Sequence, residues 1–315
     1  MIKFYAKQNR TIVELDDMHS ACWVNISPPF NQEELEYLAQ ELDIPLDFLT
    51  DSLDIDERSR YEKEDDVRLI VLNTPVLNTM ETSNTAIYIT VPIGIILTPS
   101  FIVTITAYEN PVLKRFLEGR IKNFEPQDSS SFVLQIMEQN VYRFLNCLKD
   151  LNLKRNMLEQ ELYNSSQNRE LHQLLSIEKS LVYFLTSLSG NELLKMKMQR
   201  TDFLRIREDE DKTDLFADII IDNSQALEMA NVYTNILSGT MDAFASIISN
   251  NLNMVMQRLT LITVILMVPT LIASFFGMNV TTGVEKYQPA FYIIIGVSII
   301  LTIIITLFFR QKKLF

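Results

Sequence analysis

Two apolar stretches near the C-terminus constrain this chain more than any other feature. Leu259 to Val284 carries no charge, and after a short loop a second apolar run extends from Ala290 to Phe309. Each holds the roughly 20 residues that cross the ~30 Å hydrocarbon core of a bilayer as a helix. The sequence predicts two membrane spans, the first over about 259–278, then a loop over 280–289 and the second span over 290–309.

The first span is not uniformly apolar. Counting back from Gly277 in alternating threes and fours meets Ser274, Thr270, Met267, Thr263, Thr260, Met256 and Asn253. Leu, Ile, Val and Phe fill the positions between. Hydrocarbon cannot satisfy a polar stripe, so the stripe faces other protein or water. One reading is helix packing, because small and hydroxylated residues let spans approach and bond across the contact. The other is a water-filled path. Two features favour the path: Asn253 continues the seam beyond the membrane, and the seam ends at Gly277 and Asn279, where the span should meet the opposite surface.

Asn253-x-x-Met256, Met267-Val-Pro-Thr270 and Phe276-Gly-Met-Asn279, with a second short span and the basic end Arg310-Gln-Lys-Lys-Leu-Phe315, resemble the CorA family of divalent-cation channels. The strong match covers about 253–315, and weaker similarity runs through the rest. The family often follows Gly-Met-Asn with a Met-Pro-Glu-Leu-type loop. Here the corresponding stretch is Gly283-Val-Glu285-Lys286, which keeps an acid at Glu285 in the loop at the pore mouth. The resemblance implies a funnel-shaped homopentamer that passes Mg²⁺, and also Co²⁺ or Ni²⁺, with Gly277, Met278 and Asn279 as its selectivity filter.

Composition agrees with such a protein. The chain has 315 residues and a net charge of −12, although its last six residues carry three positive side chains. An acidic surface repels nucleic acid and anionic lipid headgroups and attracts cations. Cys22 and Cys147 lie far apart, and His19 and His172 are isolated, so no Cys/His metal-ligand spacing is present. There is no phosphate loop and no nucleophile–base pair, so an enzyme is not expected, and no cofactor either. Mg²⁺ is expected as substrate and as regulatory ligand.

Met1-Ile-Lys-Phe-Tyr-Ala-Lys7 has no apolar core of the signal-peptide kind. Arg258 precedes the first span, and Arg310, Lys312 and Lys313 follow the second. The 279–289 loop holds one Lys and one Glu. The positive-inside rule then puts both termini in the cytoplasm of a plasma-membrane protein.

The soluble part reads as α+β. Residues 1–110 form a cytoplasmic α/β domain, with strands over Ile2–Ala6, Ala21–Ile26, Val67–Leu72, Ala86–Leu97 and Phe101–Thr106, rich in Val, Ile, Thr and Tyr. Asn31 caps a helix reaching about Leu42, and Pro45 opens another through Leu53. Asp65 and Asp66 start a strand. Residues 111–212 form antiparallel helices over Phe132–Tyr163 and Leu171–Met198, the second open to a break at Gly190. Arg207–Lys212 is a solvated turn. Residues 213–279 form a stalk helix of roughly 60 residues, about 90 Å long, continuing into the first span. Pro269 should kink it. The tail is 310–315.

The chemistry of the mouth follows from the ion. Mg²⁺ gives up its water reluctantly. Asn279 amides and Gly277 carbonyls offer neutral acceptors to the hydrogens of coordinated water, so the ion can keep its shell. Met278 fixes the turn. Met267 and Met256 would make apolar constrictions, with Thr270, Thr263 and Thr260 between them. The family resemblance also implies divalent ions bound between cytoplasmic domains in the closed state. By position, the ligands would be Asp51 and Asp218, with Asp54, Asp56 and Glu57 as alternatives to Asp51. Two rivals remain: a Zn²⁺ transporter of the same fold, and a two-span scaffold or sensor without flux.

Overall fold

The structure is a computed structural model that describes residues 2–8, 11–16, 22–29, 31–79, 85–164, 168–278, 283 and 289–311. It divides into two compact units, Met1–Thr240 and Met241–Phe315.

The first unit is built on a sheet of strands β1 (Ile2–Gln8), β2 (Thr11–Leu15), β3 (Trp23–Ile26), β4 (Arg60–Glu64), β5 (Val67–Leu77), β6 (Tyr88–Leu97) and β7 (Ile102–Ile105). The order is β2-β1-β3-β7-β6-β5-β4, and β3 with β7 is the parallel pair. Helices α1 (Gln32–Glu41) and α2 (Leu46–Asp51) cover one face. Helices α3 (Pro111–Leu117), α4 (Ser129–Asn164), α5 (Asn168–Thr201) and the first turns of α6 (Glu210–Phe276) cover the other. Strand periodicity explains the two cores. On β5, Leu69 and Val71 join Leu38, Phe48 and Leu49, whereas Ile70 and Leu72 join Phe116, Phe132 and Leu194. With both faces covered, β5 and β6 are almost continuously apolar.

Polar bonds fix the layers. The single tryptophan, Trp23, is fully buried and donates from Nε1 to Thr104 Oγ1 at 2.8 Å. β4 ends opposite Val71, which leaves the backbone of Asn73 without a strand partner on that side. Asn191 of α5 replaces it: its Oδ1 accepts from Asn73 N at 3.1 Å and its Nδ2 donates to Asn73 O at 2.8 Å. A side-chain amide thus closes the ladder and pins α5 to the sheet.

Several elements differ from the sequence expectation. β2 and β4 are strands beyond those the sequence pattern predicts. β4 reads Arg-Tyr-Glu-Lys-Glu, and charge of this kind suits the edge position it occupies. Asp65 and Asp66 do not begin a strand. They are the two-residue turn between Glu64 and Val67, with Asp65 at φ 48°. α2 stops at Asp51 rather than Leu53, because Ser52 caps it. α5 runs unbroken through Gly190, whose neighbour Asn191 is held by the sheet. α6 starts at Glu210, so part of the expected turn is its acidic first turn, and it has 67 residues. It remains helical through Pro269.

In the second unit, α7 (Ala290–Gln311) is a 22-residue helix with no buried residue. Among the described residues, α6 and α7 are the two helices long and apolar enough to cross a membrane. A helix this apolar and this uncovered is not stable in water, so a bilayer or other copies must cover it.

Candidate ion path and regulatory carboxylates

The span of α6 has two distinct faces. Leu261 is buried and Ile265, Val268, Pro269 and Ile272 are partly covered, at the spacing of one helical stripe. On α7 the partly covered residues include Ile294, Ser298, Thr302, Ile305, Thr306 and Phe309, again one stripe. Asn253, Met256, Thr260, Thr263, Met267, Thr270 and Ser274 lie on another face, nearly half a turn away at about 100° per residue. All seven are exposed, Met256 at 58% and Met267 at 60%. The polar seam is therefore not what packs the chain's own helices together.

The seam's hydroxyls have a defined polarity. Thr260 Oγ1 donates to Met256 O at 2.9 Å, Thr263 Oγ1 to Leu259 O at 2.9 Å and Thr270 Oγ1 to Leu266 O at 2.8 Å. A hydroxyl has one proton and two lone pairs. With the proton committed to the backbone, each threonine offers the outside acceptors only. α7 satisfies Thr302 and Thr306 likewise, so back-bonding alone does not mark a path. What sets α6 apart is the uncovered, continuous seam.

At the end of α6, Gly277 N donates to Ala273 O at 2.9 Å, the last helical bond. A Cβ on Gly277 would stand 3.1 Å from that same oxygen, closer than it comfortably fits. Met278 follows at 54% exposure. Asn279 and Glu285 lie outside the described residues, as do Lys312 and Lys313 of the basic tail.

Asp51 closes α2. Its Oδ2 accepts from Arg60 Nη2 at 2.8 Å, and Arg60 also bonds Glu57 through Nε at 2.9 Å and pairs with Glu62 through Nη1. Asp54 and Asp56 are exposed, and Asp54 Oδ1 accepts from Asp56 N at 3.0 Å. Asp218 is exposed on α6, between Phe216 and Ile219, which are both in the core. α2 and this part of α6 sit on opposite faces of the sheet, so one chain does not bring Asp51 and Asp218 together. Among the described residues, no three His, Cys, Asp or Glu side chains converge as a metal site. Spacing does not single out Arg60, a basic residue set among Asp54, Asp56, Glu57, Glu62 and Glu64.

Nor does spacing single out the buried Lys195. Lys195 of α5 is fully buried and donates from Nζ to Asn223 Oδ1 of α6 at 2.6 Å. Asn223 is fully buried too, and its Nδ2 donates to Leu188 O at 3.0 Å. Burial pushes the Lys195 ammonium down to about 7, against a smaller upward pull from Glu192.

A layered α/β body and two helices of membrane-crossing length, one of them the very long α6, define the class of structure. A family model described as CorA-like Mg²⁺ transporter protein matches residues 19–311, and the chain belongs to that family. It is 26% identical over 296 residues to the cobalt/magnesium transport protein CorA of Methanocaldococcus jannaschii, a match covering 92% of this chain and 90% of that one. The solved complete structure of the Methanocaldococcus jannaschii CorA magnesium transporter superposes with a TM-score of 0.83 at 22% identity, over 99% of this chain and 98% of that one. The cytoplasmic domain of ZntB from Vibrio parahaemolyticus superposes with a TM-score of 0.59 at 10% identity, over 79% of this chain and 98% of that one.

Proposed function

We propose that this chain forms a homopentameric channel that admits hydrated Mg²⁺ through the plasma membrane, with both termini cytoplasmic. The observation that carries the reading is the polar seam of α6, left open by its own chain and too polar to face lipid. Copies arranged about an axis cover such a seam and enclose water between them. Threonines whose protons are spent on the helix backbone present acceptors to the hydrogens of the ion's water shell. An acceptor-only wall favours a hydrated cation over an anion. Asn279 and Gly277 form the filter at the mouth, with Met278 holding the turn and Glu285 drawing cations to the loop. Met256 and Met267 narrow the path, and Asn253 rings its cytoplasmic end.

Intracellular Mg²⁺ regulates the channel between copies. Asp51 of one copy meets Asp218 of the next, and the two carboxylates repel unless a cation stands between them, so the ion favours the docked, closed ring. Their placement on opposite sides of one subunit's sheet suits a contact between subunits. Co²⁺ and Ni²⁺ are secondary substrates.

A Zn²⁺ transporter is the second reading, favoured by the likeness of the soluble part to a ZntB cytoplasmic domain. Flux of Mg²⁺, Co²⁺ and Zn²⁺ into proteoliposomes with an internal reporter separates the two. Mg²⁺ entry supports the proposal. Zn²⁺ entry without Mg²⁺ supports the second reading, and no entry of either from inserted, folded protein defeats both.

A further inference from the structure

Three carboxylates converge on one guanidinium at the end of α2. Arg60 donates to Asp51 at 2.8 Å, to Glu57 at 2.9 Å and to Glu62. The arginine is anchored as the first residue of β4, opposite Val71 in the sheet, and its side chain is 31% exposed. Asp51 has only one of its oxygens engaged among the described residues and is 41% exposed. A carboxylate in this state is available to a second cation, but it already has a first one.

We propose that Arg60 is the internal competitor that sets the divalent-cation affinity of the regulatory site. The inference rests on the reading of Asp51 as a regulatory ligand. Within one chain Arg60 neutralises Asp51. A divalent ion arriving between two copies takes that carboxylate and works against the guanidinium's positive charge. The exchange is feasible because Arg60 keeps Glu57 and Glu62 when Asp51 turns away, so no cation is left unpaired. An arginine held by Asp51 alone would resist it more strongly. The cluster therefore raises the Mg²⁺ concentration needed for closure without abolishing the site.

The test uses full-length protein in detergent, with protease protection followed against MgCl₂ at constant ionic strength. Arg60→Gln should lower the Mg²⁺ midpoint about two- to five-fold, the range of a partly exposed ion pair. Arg58→Gln removes the same charge from an exposed residue two positions away and should shift the midpoint much less. Asp51→Asn should abolish the protection. If Arg60→Gln fails to fold, Glu62→Gln takes its place and should raise the midpoint, because Arg60 then clings to Asp51. An unchanged Arg60→Gln midpoint, or an equal shift from Arg58→Gln, overturns the role of Arg60 while Asp51 stands. Undiminished protection in Asp51→Asn overturns the reading of Asp51 and the inference with it.

Discussion

Ser52 rests directly on Gly94. Its Cβ and Oγ occupy the space a side chain on Gly94 would need, and Ile105 Cγ2 lies 2.7 Å from the same point on the other side. Ser52 is fully buried and donates to Phe48 O at 2.7 Å. The absence of a side chain on β6 is what lets the end of α2, and so Asp51, lie close to the sheet. Gly94→Ala is expected to destabilise the protein by about 1–3 kcal/mol, the usual range for overpacking. Thermal unfolding of full-length protein reads it, and adding Ser52→Gly should recover part of the loss.

Lys195 predicts a pH dependence of known sign. Its folded value of about 7 lies below the ordinary 10.5. Between those values the unfolded chain holds a proton that the folded chain has released, so stability rises with pH across that window, by at most about 1.4 kcal/mol per unit. Below about 7 both states are protonated and the dependence from this group ends. Unfolding midpoints from pH 7 to 10 should climb less steeply in Lys195→Met than in wild type. Identical slopes would show that Lys195 ionises normally.

Asp128 gives the opposite case. It caps α4 by accepting from Ser131 N at 3.1 Å, and it holds Lys212 Nζ of α6 at 2.8 Å. Burial pushes its carboxyl up, but Lys212, Ser131 and Ser130 outweigh that and hold it well below the usual carboxylate range. Its contribution is therefore present above about pH 4 and is lost as acidification protonates it. Asp128→Ala should lower stability by about 1 kcal/mol at neutral pH, the size of a capping bond. The gap from wild type should shrink as pH falls below about 4.

Much of this was legible in the sequence because single periodicities carried it. The two membrane-length helices and the α/β character of the first hundred residues follow from apolar spacing, and Asn31 does cap α1 by accepting from Glu34 N at 2.7 Å. Where a role depended on a tertiary partner, the sequence was silent. β4 has no strand signal in the sequence, because an edge strand needs no apolar face. Gly190 looked like a break because the bonds of Asn191 to Asn73 cross 118 positions. Nothing local singles out Lys195, because Asn223, which it bonds, lies 28 positions away. The convergence of three acids on Arg60 is likewise a property of the folded turn, not of spacing.

The direct test of the central claim, that α6 lines an ion path ending at Asn279, is Mg²⁺ flux into proteoliposomes for wild type beside Asn279→Ala. Flux is expected in the wild type and its loss in the variant, with both proteins inserted and of equal oligomeric state. Equal flux in both would contradict the filter, and no flux in either would return the seam to helix packing.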